Sequence, residues 1–483
     1  MGTISAAFSL ISQGLDADQS ALNIVANNVA NANTPGYTEE TPTWKENQPT
    51  VVDGVSYGAG VSETGATSVR DRVLGERLDQ QQQLASASGS RLTALNSVQA
   101  LFTPDSGSST STAGDIGSDL TGFFSSFSSL EADPTNNADR QDVLSTASTL
   151  AGDVSNAAAS LNAQQSALDQ EATGVVSQVN ALTGAIAQLN QQIQSASPNS
   201  DAGTLEDQRQ QDLSQLSQLV GINQVTTENN GLSITTTSGQ LLVSEGSSFQ
   251  VTSGSVGGVA HFFVGKTDVT SQLETGGGQL GGLLTARDQD IPTVLNSLDT
   301  LAYSVSTQVN KLNNQGTDLD GVEGTGTNSS GTVGTGATPL YIFNQPAQVA
   351  GSAAAMSVVM TDPNEIAAAG LGQGTGDNSN AVAMASLASQ AVVGGQTPTD
   401  YYSNLVTTLG ATVSSVQTEN TAQNASVTQL QTQSSALSSV NLNDEAASLT
   451  TLERSYQAAS QVFTMLNTIM ASALNLGQET AVS

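Results

Sequence analysis

The N-terminal stretch 4–37, ISAAFSLISQGLDADQSALNIVANNVANANTPGY, carries the clearest structural pattern of the chain. Its apolar residues recur at alternating steps of three and four, and Asp18 breaks the pattern once. They are Ile4, Phe8, Ile11, Leu15, Leu22, Val25 and Val29. This spacing predicts a helix that packs along a narrow stripe against a partner helix. We expect the helix to end before Asn33, because Pro35 disfavours helical backbone at Thr34, and Pro35-Gly36 suits the centre of a type II turn.

The C-terminal end of the chain repeats this pattern. Asn443 is a suitable N-cap, and Asp444 and Glu445 lie where negative charge stabilises the start of a helix. The apolar positions that follow, again three and four residues apart, are Leu449, Leu452, Tyr456, Ala459, Phe463, Leu466 and Met470. We call these two sets the terminal seams. A seam at each end predicts that the terminal helices pack against each other or against copies of the chain.

Four internal segments show the same helical spacing, and such helices are expected to bundle side by side. Their apolar positions are Leu74, Leu78, Ala85, Leu92, Leu95 and Phe102; Val175, Val179, Leu182, Ile186, Leu189 and Ile193; Ile291, Leu295, Leu298, Ala302, Val305, Val309 and Leu312; and Tyr402, Leu405, Leu409 and Val416, continued less regularly by Leu430 and Leu437.

Two stretches break the helical pattern and favour β-strands. In 221–276, apolar and polar residues alternate around Ile234, and Asn230-Gly231 ahead of them is a hairpin turn signal. The second stretch has strand-like runs at 340–343 and 356–360.

This layout predicts a multidomain α+β protein with long terminal coiled-coil helices, a helical-bundle body and an inserted β-rich module. Its length exceeds that of a single compact core. Because the chain runs out through helices and returns through helices, both termini should lie at one end. The expected units are a terminal coiled-coil domain of 1–60 with 440–483, a helical body of 61–220 with 277–320 and 375–439, and an outer β-rich module of 221–276 with 321–374.

The composition excludes several classes of partner. The 483 residues carry 43 acidic and 11 basic side chains and a net charge of -32, which disfavours binding to nucleic acid and anionic membranes. The N-terminus lacks the basic region, apolar run and cleavage site of a secretory signal. No window approaches the apolar length of a membrane span. The chain is therefore expected to be cytoplasmic or exported without a cleaved signal.

The residue inventory predicts neither a catalytic residue nor a cofactor or metal site. His261 is the sole histidine and lies in a strand-like run, and the chain has no cysteine. A Ser/His/Asp triad, a Cys/His pair and a His-based zinc site therefore have no basis. Asp318 and Asp320 begin like a calcium loop, but a third acidic ligand is missing. Arg70, Arg72, Arg77 and Arg91 concentrate positive charge, which predicts either pairing with neighbouring subunits or a solvated helix face.

Both ends of the chain resemble a known family. The run Ala26, Asn27, Asn28, Val29, Ala30, Asn31, Ala32, Asn33, Thr34, Pro35, Gly36 and Tyr37 is similar to the signature of flagellar rod, hook and hook-associated proteins. The run 440–449 with 456–460 resembles the matching C-terminal end. In the middle, 186–193, 205–209 and 276–284 are similar to the members that join the hook to the filament.

The resemblance implies a structural axial protein rather than an enzyme, exported through the flagellar type III apparatus without a cleaved signal. It implies an extracellular location at the hook–filament junction. The implied partners are the hook protein, a second junction protein, an export chaperone and further copies of the chain in a ring or short helical layer. The residues expected to carry assembly are Phe8, Ile11, Leu15, Leu22, Val25 and Val29 in one seam, and Leu449, Leu452, Tyr456, Phe463 and Leu466 in the other.

Two other functions are compatible with parts of the pattern. Another axial subunit, such as a hook protein or a flagellin, would share the terminal signature but would form long polymers. A secreted acidic adhesin would explain the acidity and the Gly- and Thr-rich stretches. No internal repeat supports the adhesin, and the terminal signature would then be accidental.

Overall fold

The computed structural model describes residues 2–52, 55–103, 116–196 and 202–479, and long helices dominate it. The helices are α1 (Gly2–Asn31), α2 (Arg72–Leu101), α3 (Ile116–Ala132), α4 (Asn137–Ala196), α5 (Thr204–Leu219), α6 (Thr270–Glu274), α7 (Gly278–Thr285), α8 (Ile291–Asn313), α9 (Ser352–Ala355), α10 (Ser379–Ser386), α11 (Pro398–Ser438) and α12 (Leu442–Glu479). The α+β fold class is confirmed. None of the helices in these ranges combines the length and apolarity of a membrane span.

The terminal helices pack against each other. α1 lies along α12, so both ends of the described chain are at one end of the molecule, as predicted. α1 ends at Asn31, and the type II turn is confirmed: Gly36 has φ +80°, and the Tyr37 N–H donates to the Thr34 carbonyl at 3.2 Å. The predicted N-cap at Asn443 is wrong. α12 begins two residues after Val440, and the side chain of Asn441 accepts from the Asn443 N–H at 3.1 Å.

A β-ribbon packs on α1 beside these helices. Its strands are β1 (Glu40–Glu46), β2 (Thr50–Val52), β3 (Val55–Tyr57) and β4 (Val61–Ser68). β1 pairs antiparallel with β4, and β2 pairs with β3 farther along the ribbon.

The helical body has a continuous apolar core formed by α2, α3, α4, α5, α7, α8 and α11. Phe123 is fully buried and contacts the rings of Phe124, Phe127 and Phe343 at centroid distances of 5.2–5.5 Å. Each such ring contributes about 1.5–3 kcal/mol through its removal from water. The internal stripes supply much of this core, and their positions are buried or half-buried except Leu437 at the end of α11, which is exposed.

The first β stretch forms two antiparallel sheets that pack on α4. One contains β5 (Ile222–Thr226), β6 (Leu232–Thr236), β7 (Leu241–Ser244) and β8 (Ser247–Ser248), and the other contains β9 (Val251–Val256), β10 (Val259–Val264) and β11 (Thr267–Asp268). The signalled turn at Asn230-Gly231 lies between β5 and β6, where Asn230 adopts φ +58°.

The strands expected at 340–343 and 356–360 are wrong: an isolated bridge between Phe343 and Val358 stands in their place. Asparagines of α8 bind the backbone that a neighbouring strand would have paired. The Asn310 side chain donates to the Phe343 carbonyl and accepts from its N–H, both at 2.9 Å. Asn313 donates to the Leu340 carbonyl at 3.0 Å. Because buried backbone groups need one partner each, this segment needs no ladder. The remaining short strands are β12 (Gly316–Thr317) and β13 (Ala369–Gly370).

Candidate assembly interface

The two terminal seams meet within one chain, but they only partly cover each other. The rings of Phe8 and Phe463 lie 4.5 Å apart between their centroids. Phe8, Ile11, Leu15, Leu22, Leu452, Phe463 and Leu466 are half-buried, and Val25 is buried. Val29, Leu449 and Tyr456 remain 46%, 37% and 36% exposed. The side chain of Ile4 lies outside the described residues. One partner helix therefore leaves apolar surface along both seams open to water.

A second stripe on α1, which the a/d spacing did not reveal, is more deeply buried. It consists of Ala17, Ala21, Ile24 and Asn28, at steps of four, three and four. These positions lie on a different side of the helix from Phe8 and Leu15. The same spacing signal was present in the sequence, but two alanines and an asparagine give it little apolar weight.

Asn28, a residue of the signature, joins four segments of the chain. Its side-chain amide N–H groups donate to a carboxylate oxygen of Glu445 in α12 at 2.7 Å and to the Glu40 carbonyl at 2.9 Å. Its Oδ1 accepts from the Tyr37 hydroxyl at 2.8 Å and from the Glu40 N–H at 3.1 Å. Asn28 is only 1% exposed, so its side of these bonds is shielded from water, and the bond to Glu445 is buried on both sides. These bonds fix the positions of α1, the signature turn, the ribbon and the start of α12 relative to one another. We call Asn28 with its partners Tyr37, Glu40 and Glu445 the Asn28 joint.

The electrostatics of this joint follow from burial. Desolvation, reinforced by Glu40 and other nearby carboxylates, raises the pKa of Tyr37 to about 12, so the hydroxyl stays a donor at neutral pH. Desolvation also raises the pKa of Glu445, although its hydrogen bond from Asn28 opposes that shift.

The rest of the signature shapes the turn. Asn31 donates to the Asn27 carbonyl at 3.0 Å, and the Thr34 hydroxyl donates to the Asn31 side chain at 3.2 Å. Ala26, Asn27, Ala30, Thr34, Pro35 and Gly36 are exposed. These residues set the path of the chain out of α1 and leave the turn open to water.

An ionic cluster ties the signature turn to the body. The Thr38 N–H and hydroxyl both donate to the Asp207 carboxylate, at 3.1 and 2.8 Å. Arg70 pairs with Asp207 and with Glu206, the latter at 2.7 Å, and Arg72 pairs with Glu206 at 3.1 Å. Glu206 and Asp207 are buried, so each carboxylate needs these cations.

The four arginines that the sequence analysis identified therefore differ in whether they form ion pairs within the chain. Arg70 and Arg72 pair within the chain, and Arg91 binds Asp290 through two bonds of 2.8 Å. Arg77 makes no ion pair within the described ranges.

His261 and the Asp318 loop both make hydrogen bonds within the chain. The His261 ring lies 2.7 Å from Asp268, whose carboxylate also binds Thr270 at the start of α6. Asp318 accepts from the backbone N–H groups of its own loop, at Asp320 and Val322. Among the described residues, no His, Cys, Asp and Glu side chains cluster in a way that could hold a metal ion.

A cleft of about 580 Å³ separates the signature turn from the body. It is lined by the turn, the start of α2, α5 and the end of α11. Asp79 lies at its base, 2% exposed, and accepts from Gln210 at 3.1 Å and Gln224 at 2.8 Å. Burial raises the pKa of Asp79 to about 6, an effect that these hydrogen bonds reduce.

We expect Asp79→Asn to stabilise the chain at neutral pH. The folded-state pKa of this acid is raised, so the penalty for its carboxylate is absent below pH ~4 and complete above pH ~6. An asparagine oxygen still accepts from Gln210 and Gln224. Urea unfolding at pH 7 should show a gain of about 2–3 kcal/mol that disappears at pH 4. An equal effect at both pH values would contradict the assignment to charge burial.

Comparison with known proteins identifies relatives over most of the chain. Residues 105–328 match the family model described as "Flagellar hook-associated protein FlgK helical domain", and residues 12–38 match "Flagella basal body rod protein". The chain is 26% identical to flagellar hook-associated protein 1 of Salmonella typhimurium over 560 residues, covering 96% of this chain and 98% of that protein. The Bacillus subtilis protein of the same name is 24% identical, covering 96% of each chain.

The fold agrees with that of a solved protein. The flagellar hook junction protein FlgK from Burkholderia pseudomallei superposes with a TM-score of 0.61 at 20% identity, covering 74% of this chain and 99% of that chain. Its likeness supports the α+β arrangement described above. The relatives are structural components of the flagellum, matched at both ends and through the helical body. Along nearly its whole length, the chain is similar to flagellar hook-associated protein 1.

Proposed function

We propose that the chain joins the flagellar hook to the filament, and that it does so by assembling with further copies of itself through α1 and α12. The observation that carries the proposal is the incomplete burial of the terminal seams. Val29, Leu449 and Tyr456 keep more than a third of their surface exposed. Because burial of apolar surface contributes about 25 cal/mol per Å², closure of these seams by neighbouring helices favours assembly.

Contacts between copies would also stabilise the two long terminal helices. Helices stabilised by one narrow contact are marginal in water, and neighbouring copies supply the missing contacts. The bonds of Asn28 hold the two helices of each copy together, and the ionic cluster at Glu206 and Asp207 fixes the signature turn to the body. A layer of identical subunits needs this constancy.

The layer of subunits contacts other flagellar proteins on both of its sides. The hook protein accepts the first copies, and a second junction protein follows on the filament side. An export chaperone accompanies the chain before its secretion without a cleaved signal. The chain acts outside the cell, as a structural part and not as an enzyme. The names of its relatives and the terminal signature support these assignments.

Deletion of the gene in its own host tests the proposal. We expect electron micrographs to show complete hooks without filaments, and a gel of the medium to show unpolymerised flagellin. A plasmid copy of the wild-type gene is the control and should restore filaments. Normal filaments in the deletion strain would contradict the junction role and favour an adhesin. Loss of the hook itself would indicate an axial subunit closer to the cell.

A further inference from the structure

The sole tryptophan of the chain lies exposed on the ribbon. Trp44 in β1 is 47% exposed, and the register of β1 with β4 is interrupted between Thr43 and Trp44. An interruption of this kind re-aims the side chain beside it. Tryptophan is enriched among residues that dominate protein interfaces, so a large ring directed to the surface is a candidate anchor.

On its face of the ribbon, Trp44 has two acidic residues and one apolar residue beside it. Trp44 pairs across the strands with Glu63, and Glu46 pairs with Val61. Side chains two apart on a strand share a face, so these four residues lie together. Val61 is diagonal to Trp44 and within reach of its ring. We call these four residues the Trp44 face; Lys45 and Ser62, which pair between them, lie on the opposite face.

α1 separates the ribbon from α12. Phe8 contacts Phe463 of α12, whereas a Cβ added at Gly60 of the ribbon would lie 3.1 Å from Leu10. Positions two apart on a helix point about 200° from each other. The Trp44 face and the outer side of α12 therefore belong to opposite sides of the terminal layer.

The outer side of α12 carries a matching stripe. Its residues, at steps of four, four, three and four, are all exposed: Arg454, Ala458, Val462, Met465 and Ile469. Met465 is 62% exposed. Arg454 is the sole basic residue after Lys311. Within the described part of the chain it forms no ion pair. We call these five residues the outer α12 stripe.

We propose that the Trp44 face of one copy binds the outer α12 stripe of a second copy. The ring of Trp44 packs on Ala458 and Val462, which lie ~6 and ~12 Å along the helix from Arg454. Glu63 and Glu46, beside the ring, pair with the Arg454 guanidinium. The two surfaces complement each other in charge and in apolar character.

The occupant is a second copy because of where the two surfaces lie. They are on opposite sides of α1, so one chain cannot bring them together. A contact between different surfaces of identical subunits repeats from copy to copy and generates a ring or a helical layer. This inference rests on the proposed function and adds a specific contact to it, outside the terminal seams.

Exchange of charges tests the pairing. Each variant is expressed in the deletion strain, and the amount of the chain retained on isolated flagella is measured. Glu63→Arg and Arg454→Glu should each lower the retained protein at least tenfold, because each places like charges opposite each other. The double variant should recover to within about twofold of wild type. Matched controls reverse nearby charges outside the proposed contact, at Lys45→Glu and Glu453→Arg. A double variant no better retained than the single variants would overturn the proposal.

Cysteine cross-linking tests the geometry, because the chain has no cysteine of its own. Glu63→Cys with Ala458→Cys should yield disulfide-linked dimers and larger products on isolated flagella, whereas Lys45→Cys with Ala458→Cys, on the opposite ribbon face, should not. Absence of dimers from the first pair, or an equal yield from both pairs, would overturn the contact. Absence of the wild-type chain from isolated flagella would instead contradict the proposed function.

Discussion

A chain with Phe8→Asp and Phe463→Asp is expected to be secreted in normal amount and to be missing from isolated flagella. The two rings lie 4.5 Å apart in the seam between α1 and α12. Two carboxylates in their place repel each other and leave charge against apolar side chains, at a cost of several kcal/mol. Retention should fall at least a hundredfold. Gels of isolated flagella and of the medium give the ratio of retained to secreted protein.

The matched control places the same charges on the same two helices, away from the seam. Ser9 and Thr464 are exposed neighbours of the two phenylalanines. Ser9→Asp with Thr464→Asp should leave retention within about threefold of wild type. Proteolysis of the purified seam variant should leave the helical body intact, because the body has its own core. Retention of the Phe8→Asp, Phe463→Asp chain at wild-type level would contradict assembly through the terminal helices.

The second large effect is expected at the Asn28 joint. Asn28→Asp removes the donor to the Glu40 carbonyl and to Glu445 and places a carboxylate against the Glu445 oxygen that now lies 2.7 Å away. Loss of a hydrogen bond to a charged group costs about 1.5–3 kcal/mol, and repulsion between the two buried carboxylates adds to that cost. We expect at least a tenfold loss of the chain from isolated flagella at pH 7.

A second substitution distinguishes loss of this contact from a general defect. Glu445→Gln in the Asn28→Asp background supplies an amide donor from the other side, so most of the retention should return. Asn27→Asp, at an exposed position beside Asn28, is the charge control and should have little effect. If Glu445→Gln does not improve the Asn28→Asp chain, the joint does not act through this bond.

The helical parts of the fold were predictable because the buried side of a helix requires apolar residues at regular spacing in the sequence. The seams containing Phe8 and Phe463, and the internal stripes, follow steps of three and four or their sum of seven. The stripe containing Ala17 and Ala21 follows the same steps, but small side chains give a weak signal. Burial of a small residue reflects how closely the neighbouring element approaches, and a local pattern does not contain that information.

Contacts between distant parts of the chain were not predictable. Asn28 and Glu445 are 417 residues apart, and no spacing rule connects them. The same holds for Thr38 with Asp207, and for Asn310 with Phe343, where a side chain replaced an expected strand partner. The division into three structural units and the assignment of the seams to subunit contacts remain predictions.

Immunogold electron microscopy of an epitope-tagged, functional copy tests the central claim most directly. The tag is inserted at 104–115, which lies between α2 and α3, so the terminal helices stay unaltered. An assembly protein of the hook–filament junction should be labelled in one short zone between hook and filament on each flagellum. Label along the whole hook or filament, or over the cell surface without relation to flagella, would contradict the account.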